Sequence, residues 1–307
     1  MGIKILNKKA FIAGFKVGRF SMENAPLSVL ADAETLTELL PYDKQGNILD
    51  FAFKKTFKNE AFIKQAVLTY GGNFNKLPPN LRNREDLALL AFEKTKGNIL
   101  NLGNKLNTYE FAEKLIKLDP FALRSFRGEV FRNKELNLLA VQREGLVYRN
   151  LCPENMQDED IIVASLTNNG FVYHFLDDKN KANIEYARIA MKTARDYTEL
   201  VYRDMPNDVR SDKDISLQAC DFDLRCLKYT PFETVLDDEF KLGLNEIITK
   251  KIEELQQNNA SEVEIERYES EAVTLVKQNY QRAIEEKEAY EIKQAEELEN
   301  FNELFIQ

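Results

Sequence analysis

A short helical pattern recurs along this sequence about every 25 residues, and any fold of the chain must accommodate it. Two copies, residues 133–145 and 158–170, share one order: a capping residue, acidic residues, an apolar run centred on a small residue, then Gly. A fixed period of this length is typical of stacked units that cannot bury their apolar faces alone. The buried small position is predicted at Ala66, Ala91, Leu115, Ala140, Ala164, Ala190 and Ala219.

Polar residues about two turns before each small position predict where the helices begin. Asn, Asp and Ser side chains accept hydrogen bonds from first-turn N–H groups, which have no partner inside a helix. Acidic residues follow them and face the positive end of the helix dipole. The predicted caps are Asp32, Asn59, Asn83, Asn107, Asn133, Asp158, Asn183, and Ser211 or Asp212.

A glycine or proline after each small position predicts where the helix ends. Gly72, Gly97, Gly145 and Gly170 are expected in the left-handed conformation, which Gly adopts without steric penalty. Asp119-Pro120 takes this place in the third unit, because Pro cannot continue a helix. A shorter apolar segment follows each stop and predicts a second helix. The chain is therefore predicted to be an all-α solenoid of about seven to eight two-helix units; the alternative is a globular helical domain with coincidental spacing.

This pattern, clear in residues 133–176 and looser over residues 32–236, resembles the helical repeats known as domain of unknown function 4116. Such repeats occur in bacterial, phage and large-virus proteins. The resemblance covers about two thirds of the chain and implies a repeat fold without an activity, because the family has no assigned catalytic residues. The sixth unit departs from the pattern at Arg195-Asp196, where Gly is expected, so its boundaries stay open.

The two ends of the chain differ in charge from one another. Residues 1–31 are predicted to form a basic N-terminal helix or cap, and residues 32–236 the repeats. Ala10, Gly14 and Gly18 would form a ridge of small residues that lets the first repeat, or another protein, approach closely. Residues 237–307 carry a net charge of −11, while the rest carries +2.

This acidic C-terminal region is predicted to be a hairpin of two amphipathic helices, the second opened by a capping box at Ser261 and Glu264. The second helix exceeds the usual length of a globular helix. It either folds back on the repeats or pairs with another chain. Its apolar stripe is predicted at Ile265, Tyr268, Ala272, Val276, Tyr280, Ala283, Tyr290, Leu298, Phe301 and Phe305.

The sequence holds few of the residues that catalytic and metal sites use. Its one histidine, His174, argues against most acid–base and metal constellations and is expected to pack or hydrogen-bond within the stack. Cys152, Cys220 and Cys226 fall at unrelated positions and predict reduced thiols in a cytosol-like compartment. We predict no catalytic, cofactor-binding or metal-binding residues, no cofactor and no enzymatic activity.

The remaining charged segments also lack the spacing of known sites. Asp177-Asp178 and Asp237-Asp238 do not form a calcium-loop pattern and are expected to be caps and turns. The basic clusters, at residues 54–58 and the N-terminus, are weak in a chain of net charge −9, so nucleic-acid binding is not expected. No apolar run reaches the length of a membrane span, and the N-terminus lacks a secretory-signal pattern.

These features predict a non-enzymatic scaffold or adaptor that binds protein partners of unknown identity. One alternative is a structural subunit of a phage particle or other large assembly, in which the basic N-terminus and acidic C-terminal helix mediate self-association. A second alternative is a phage-encoded inhibitor of a host protein. The expected location is the cytoplasm of a bacterial or host cell, or the virion.

Overall fold

The computed structural model describes residues 7–95 and 100–306, without the side chains of residues 95 and 298–306. Within these ranges the chain forms helices and no β-strand, which confirms the predicted all-α class. The predicted stop at Gly97 lies outside the described residues, as do the side chains of Leu298, Phe301 and Phe305. The chain divides into two compact units, residues 1–143 with 150–155, and residues 144–149 with 156–307.

The first unit begins with short helices and continues into longer ones. Its 3₁₀ helices are Met22–Asn24, Leu40–Tyr42, Lys54–Lys58, Gly71–Lys76, Leu81–Asn83, Asn104–Leu106 and Pro120–Ser125. Its α-helices are α1 (Lys8–Lys16), α2 (Leu27–Leu30), α3 (Ala33–Leu39), α4 (Ile48–Phe51), α5 (Glu60–Thr69), α6 (Glu85–Thr95), α7 (Tyr109–Leu118), α8 (Gly128–Arg132) and α9 (Lys134–Arg143). The helix α10 (Pro153–Met156) lies at the division between the units.

The second unit repeats a longer helix, a 3₁₀ helix and a short helix before it ends in two long helices. Its 3₁₀ helices include Gly170–Phe175, Arg195–Tyr197 and Leu224–Tyr229, and Gly145–Asn150 starts in this unit. Its α-helices are α11 (Glu159–Asn168), α12 (Asp178–Lys181), α13 (Ile184–Thr193), α14 (Thr198–Arg203), α15 (Asn207–Arg210), α16 (Lys213–Phe222), α17 (Phe232–Leu236), α18 (Asp238–Gln257) and α19 (Glu262–Ile306). In this unit α11 packs on α13, α13 on α16, and α16 on α18.

In most of the predicted repeats the second element is a 3₁₀ helix. Where the pattern is clearest, a ten-residue α-helix is followed two residues later by a six-residue 3₁₀ helix, as in α11 and Gly170–Phe175. Tighter 3₁₀ turns are common as short connectors next to α-helices. The prediction of a second, shorter helical segment is correct for these repeats, with hydrogen bonding of the 3₁₀ type, and wrong after α6, where residues 100–103 are not helical.

The predicted small positions form the centre of the core, with one exception. Six of them have no measurable exposure: Ala66, Ala91, Leu115, Ala140, Ala190 and Ala219. Ala164 was assigned wrongly, because it is half-buried and Ser165 is fully buried in its place. The Ser165 hydroxyl donates a 2.6 Å hydrogen bond to the carbonyl of Ile161, so its polarity is satisfied inside the helix.

Most predicted caps hold the first turn of a helix. The side chains of Asn59, Asn133, Asp158, Asn183 and Asp212 accept hydrogen bonds from backbone N–H groups of α5, α9, α11, α13 and α16.

Two predicted caps are displaced by one residue, and a third acts differently. The helix α7 is capped by Thr108, and Asn107 instead accepts from the backbone N–H of Arg127 at 3.0 Å. The side-chain amide oxygen of Asn83 likewise accepts from the backbone N–H of Lys105, at 2.9 Å. Asp32 precedes α3 but accepts from the Thr35 hydroxyl, at 2.6 Å, instead of from a backbone N–H.

The predicted conformation of the repeat glycines is wrong. Positive φ among the described glycines occurs at Gly18, Gly46 and Gly128, and at none of the predicted stops. Gly145 and Gly170 are instead places where two backbones approach. A Cβ on Gly170 would lie 2.1 Å from the carbonyl oxygen of Ala190, and one on Gly145 would lie 2.6 Å from that of Ser165.

The ridge predicted on the N-terminal helix is also wrong. Ala10 is exposed, and Gly18 lies beyond the end of α1. Only Gly14 is buried, and its neighbour is the ring of Phe20, which a Cβ would meet at 2.2 Å. The small residue therefore admits a side chain from the same segment and not a partner backbone.

The acidic C-terminal region is a helical hairpin, as predicted. Ser261 and Glu264 form the capping box, with hydrogen bonds of 2.9 and 3.3 Å. The helix α19 packs within the second unit against α17, α18 and the 3₁₀ helix Leu224–Tyr229, so this part of the helix folds back on its own chain. The predicted stripe is correct at Ala272 and Ala283, which are buried, but wrong at Tyr280, which is 40% exposed while the neighbouring Asn279 is buried.

Beyond Ala283 the long helix leaves the core. Every described side chain from Glu285 to Glu297 is exposed, including Tyr290 and Ile292. Among the helices that the structure describes, none has both the length and the apolarity needed to cross a bilayer.

Candidate functional site: an exposed aromatic cluster

The sixth repeat departs from the pattern of the other repeats, and this departure produces an exposed cluster of aromatic side chains. Arg195 stands where Gly145 and Gly170 stand in their repeats, and it has a positive φ of 49°. A side-chain-bearing residue in that region costs roughly 1–3 kcal/mol and persists only when its surroundings enforce it. The turn shortens the following 3₁₀ helix to Arg195–Tyr197, which leads directly into α14. Tyr197 is thereby brought over the 3₁₀ helix of the preceding repeat.

Four rings meet there, and we call Phe171, His174, Phe175 and Tyr197 the aromatic cluster. Phe171 is at its centre: Tyr197 stacks on it with centroids 4.5 Å apart, and the His174 ring lies nearly parallel to it at 5.5 Å. Phe175 meets Phe171 edge-on at 5.4 Å. Parallel and edge-on contacts at such separations are the favourable geometries for aromatic pairs.

The aromatic cluster is accessible to solvent although its rings are in mutual contact. The Tyr197 side chain is 50% exposed, and that of His174 is 41% exposed. Arg149 adds a cation, with its guanidinium 5.6 Å from the centroid of Phe175. Because contiguous exposed apolar groups often mark interaction sites, this surface is a candidate binding site.

The histidine is held in place by a carboxylate. His174 Nδ1 is hydrogen-bonded to the side chain of Asp204, which is 16% exposed. The prediction that His174 packs and hydrogen-bonds is correct in its contacts, but the side chain lies at the surface of the second unit. Its described partners are Asp204, Phe171 and Phe175, and they include no nucleophile and no second acid. The hydrogen bond to Asp204 fixes the orientation of the His174 ring within the aromatic cluster.

The cysteines do not form a second site. All three are free and buried. Burial raises the pKa of Cys220 to about 12 and raises the pKa of Cys226 as well. Thiols with raised pKa values are poor nucleophiles and poor metal ligands at neutral pH. They pack as small apolar groups.

The acidic pairs behave as the sequence predicts. Asp177 caps α12 by accepting from the N–H of Asn180 at 2.8 Å, and this backbone hydrogen bond lowers its pKa. Asp237 caps α18 by accepting from the N–H of Phe240 at 3.0 Å, which lowers its pKa in the same way. Over the described part of the chain, no group of three or more His, Cys, Asp and Glu side chains could hold a metal ion.

Comparisons of the chain with protein-family models, with curated proteins and with solved structures found no match. The resemblance to the domain of unknown function 4116 repeats thus stays a prediction that rests on the quoted residues.

The sequence pattern indicated a packing role for His174 but did not connect it to Tyr197. The available signal was the missing glycine at Arg195-Asp196, which marked the sixth unit as irregular. Places where a regular pattern fails are often functional sites. The sequence does not show that the irregular turn places Tyr197 against Phe171, because this contact depends on the neighbouring repeat.

Proposed function

We propose that this protein is a non-enzymatic scaffold or adaptor, built as an α-solenoid, that binds another protein through the aromatic cluster. The observation that carries the proposal is the stack of Tyr197 on Phe171 beside Arg149, on an exposed surface. Aromatic residues and Arg are enriched among the side chains that dominate the energy of protein interfaces. The rings are already in contact with one another, so little conformational entropy is lost when a partner covers them.

The regular part of the chain supports the solenoid in this proposal. The same order of elements recurs, and a glycine in one repeat lies against the backbone of the helix about 20 residues later, as Gly145 does with Ser165. Units that contact their neighbours in a constant way build extended surfaces suited to protein binding. A protein of this kind needs no catalytic group.

The test is a capture experiment with matched variants. Immobilised protein, its Phe171→Ala/Tyr197→Ala variant and its Phe222→Ala variant are exposed to the same lysate, and retained proteins are identified by mass spectrometry. Phe222 is 51% exposed and lies on α16, outside the aromatic cluster, so its loss serves as the control. We expect a partner that the wild type and Phe222→Ala retain and the double variant loses, with an affinity reduced about 30-fold or more in direct titration.

Two results would contradict this proposal. One is a partner retained equally by all three proteins, because its binding would not involve the aromatic cluster. The other is that no protein is retained by the wild type above the level of an unrelated helical protein. Far-ultraviolet circular dichroism of each variant separates loss of binding from loss of folding.

A second candidate, a structural subunit that self-associates, is favoured by one observation. The described side chains of α19 from Glu285 to Glu297 are exposed, and these 13 residues include six Glu and two Lys. If they contact the basic N-terminal region of another copy, the mass measured by light scattering will rise with concentration and fall with salt. A constant monomer mass at low salt would exclude this candidate. The variant Glu285→Lys/Glu288→Lys provides the charge-reversed comparison.

A further inference from the structure

A cavity of about 440 Å³ lies in the first unit, between the end of α1 and the segment that follows α3. Its size falls within the range of roughly 300–1,000 Å³ that is usual for small-molecule sites. It lies in the first unit, whereas the aromatic cluster belongs to the second, and it is concave where the cluster is a surface patch.

Two glycines of the N-terminal segment shape this cavity. Gly18 has a φ of 75°, so the chain reverses directly after α1. The reversal returns Phe20 to the helix, where its ring stacks on Phe11 with centroids 6.1 Å apart. Gly14 has no Cβ and so leaves room for the Phe20 ring. Gly14 and Gly18 therefore allow Phe20 to form part of one wall of the cavity.

The lining combines aromatic faces with an accessible opening. Phe15 is 7% exposed and lies at the bottom, while Tyr42 is 43% exposed and stands at the edge. Phe20 and Pro41 complete the apolar part of the wall. Such faces stack on flat rings, and base–aromatic stacking of this kind contributes roughly 1–3 kcal/mol.

The charge of the lining is opposite to that of the chain. Three cations line the cavity, Lys16, Arg19 and Lys44, against one carboxylate, Asp43, in a protein of net charge −9. Lys16 is paired with Glu38, with 2.5 Å between Nζ and Oε1. The Asp43 carboxylate accepts from the N–H of Ile48 at 2.8 Å.

Two of these cations stay without an internal counterion. Over residues 7–95 and 100–306, the charged groups of Arg19 and Lys44 form no ion pair and no hydrogen bond to a side chain. Both side chains are exposed at the cavity. An Arg and a Lys that converge on one cavity suit a phosphate group, since Arg can donate two parallel hydrogen bonds to it.

We propose that this cavity binds a small anion that combines a planar ring with a phosphate, which is the chemistry of a nucleotide. The ring would stack against Tyr42 and Phe20, and the phosphate would meet Arg19 and Lys44. The amide side chains of Asn24 and Gln45, which also line the cavity, supply donors and acceptors for the polar edge of a base. This proposal does not depend on the proposed protein-binding function, and either one can be correct without the other.

The experiment is isothermal titration calorimetry of the full chain with ADP, GDP, CDP and UDP in turn. At least one diphosphate should bind at a single site. Arg19→Ala/Lys44→Ala and Tyr42→Ala should each weaken that binding about tenfold or more, through loss of phosphate contacts and of stacking respectively. Lys9→Ala is the matched control, because Lys9 is an exposed cation of α1 that does not line the cavity; it should bind like the wild type.

Two further ligands test the ring contacts and the phosphate contacts separately. The nucleoside without phosphate, and inorganic pyrophosphate without a ring, should each bind more weakly than the best diphosphate. The proposal is wrong if no diphosphate binds, if the Arg19→Ala/Lys44→Ala variant binds normally, or if Lys9→Ala weakens binding as much. It is also wrong if pyrophosphate binds as tightly as the diphosphate, because the ring would then play no part. Circular dichroism verifies that each variant is folded.

Discussion

Single residues decide how closely neighbouring elements approach in this protein. Gly170 and Gly145 lie against backbone carbonyl groups of Ala190 and Ser165, where no side chain fits. Backbone cannot move aside as the tip of a side chain can, so a methyl group at these positions must displace a whole helix. Gly145 and Gly170 are therefore packing residues, and their φ angles lie outside the left-handed region that favours glycine.

We predict that Gly170→Ala lowers the free energy of unfolding by about 2–3 kcal/mol, the cost of overpacking a rigid contact. The matched change is Gly243→Ala in α18, where the added Cβ would meet the flexible end of the Leu217 side chain at 2.7 Å. There the gain in helix propensity, about 1 kcal/mol, offsets the adjustment. Urea unfolding of both variants gives the comparison. Equal stability losses would show that backbone approach is not the reason for Gly170.

Individual elements are joined by polar contacts that recur along the chain. The buried tyrosines Tyr148 and Tyr173 each donate their hydroxyl to a carbonyl group eight residues later, of Met156 and Lys181 respectively. Burial raises the pKa of both hydroxyls, so they stay protonated and serve as donors over the neutral range. Such bonds tie a 3₁₀ helix to the short helix that follows it, for which backbone hydrogen bonds alone would be few.

An ion pair joins α5 to the start of α6 and predicts a pH dependence. Arg84 donates to both oxygens of Glu60, at 2.6 and 2.7 Å, and to Asp86 at 2.6 Å. The hydrogen bonds from Arg84 lower the pKa of Glu60 to about 2 and lower that of Asp86. Because these values lie below the usual ones, about 4, the stabilisation is complete above about pH 5 and is lost as the pH falls towards 2.

Replacing Arg84 should therefore lower the stability of the protein at neutral pH but not near pH 2. The melting temperature of Arg84→Ala should be lower than that of the wild type at about pH 6, and the difference should shrink steadily and vanish near pH 2. Arg84→Lys keeps the charge without the two parallel bonds and should lie between them. Differential scanning calorimetry across this range checks the prediction, and a difference that does not change with pH would refute it.

At the scale of the whole molecule, the long C-terminal helix depends on a few fixed points. Ala272 and Ala283 bring α19 close to the rest of the second unit, and both are buried. Arg282, the residue before Ala283, donates from its guanidinium to the carbonyl groups of Leu227 and Thr230 at 3.2 and 2.9 Å. These carbonyl groups lie at the C-terminal end of the 3₁₀ helix Leu224–Tyr229, so the Arg282 side chain connects α19 to that helix.

We predict that Arg282→Ala loosens α19 and lowers the free energy of unfolding by about 1–3 kcal/mol, since two carbonyl groups lose a charged donor. The control is Arg267→Ala. The Arg267 side chain is 78% exposed and pairs with Glu271 one turn away, so its loss should cost less than about 1 kcal/mol. Hydrogen–deuterium exchange should speed up in residues 272–284 of the first variant alone. Unchanged exchange there would mean that packing, and not Arg282, holds the helix.

The sequence by itself determined the local features of this protein. Helix class, the caps at Asn59, Asn183 and Asp212, and the capping box at Ser261 depend on contacts within a few residues, so composition and spacing suffice to read them. The tertiary structure alone decided the rest. Which residue of the pair Ala164 and Ser165 faces the core, why Gly170 must be small, and how Tyr197 reaches Phe171 depend on neighbours about 20 or more residues away. A local sequence pattern does not show which part of the chain will pack against a distant backbone. Both the aromatic cluster and the cavity are formed by residues that are far apart in sequence.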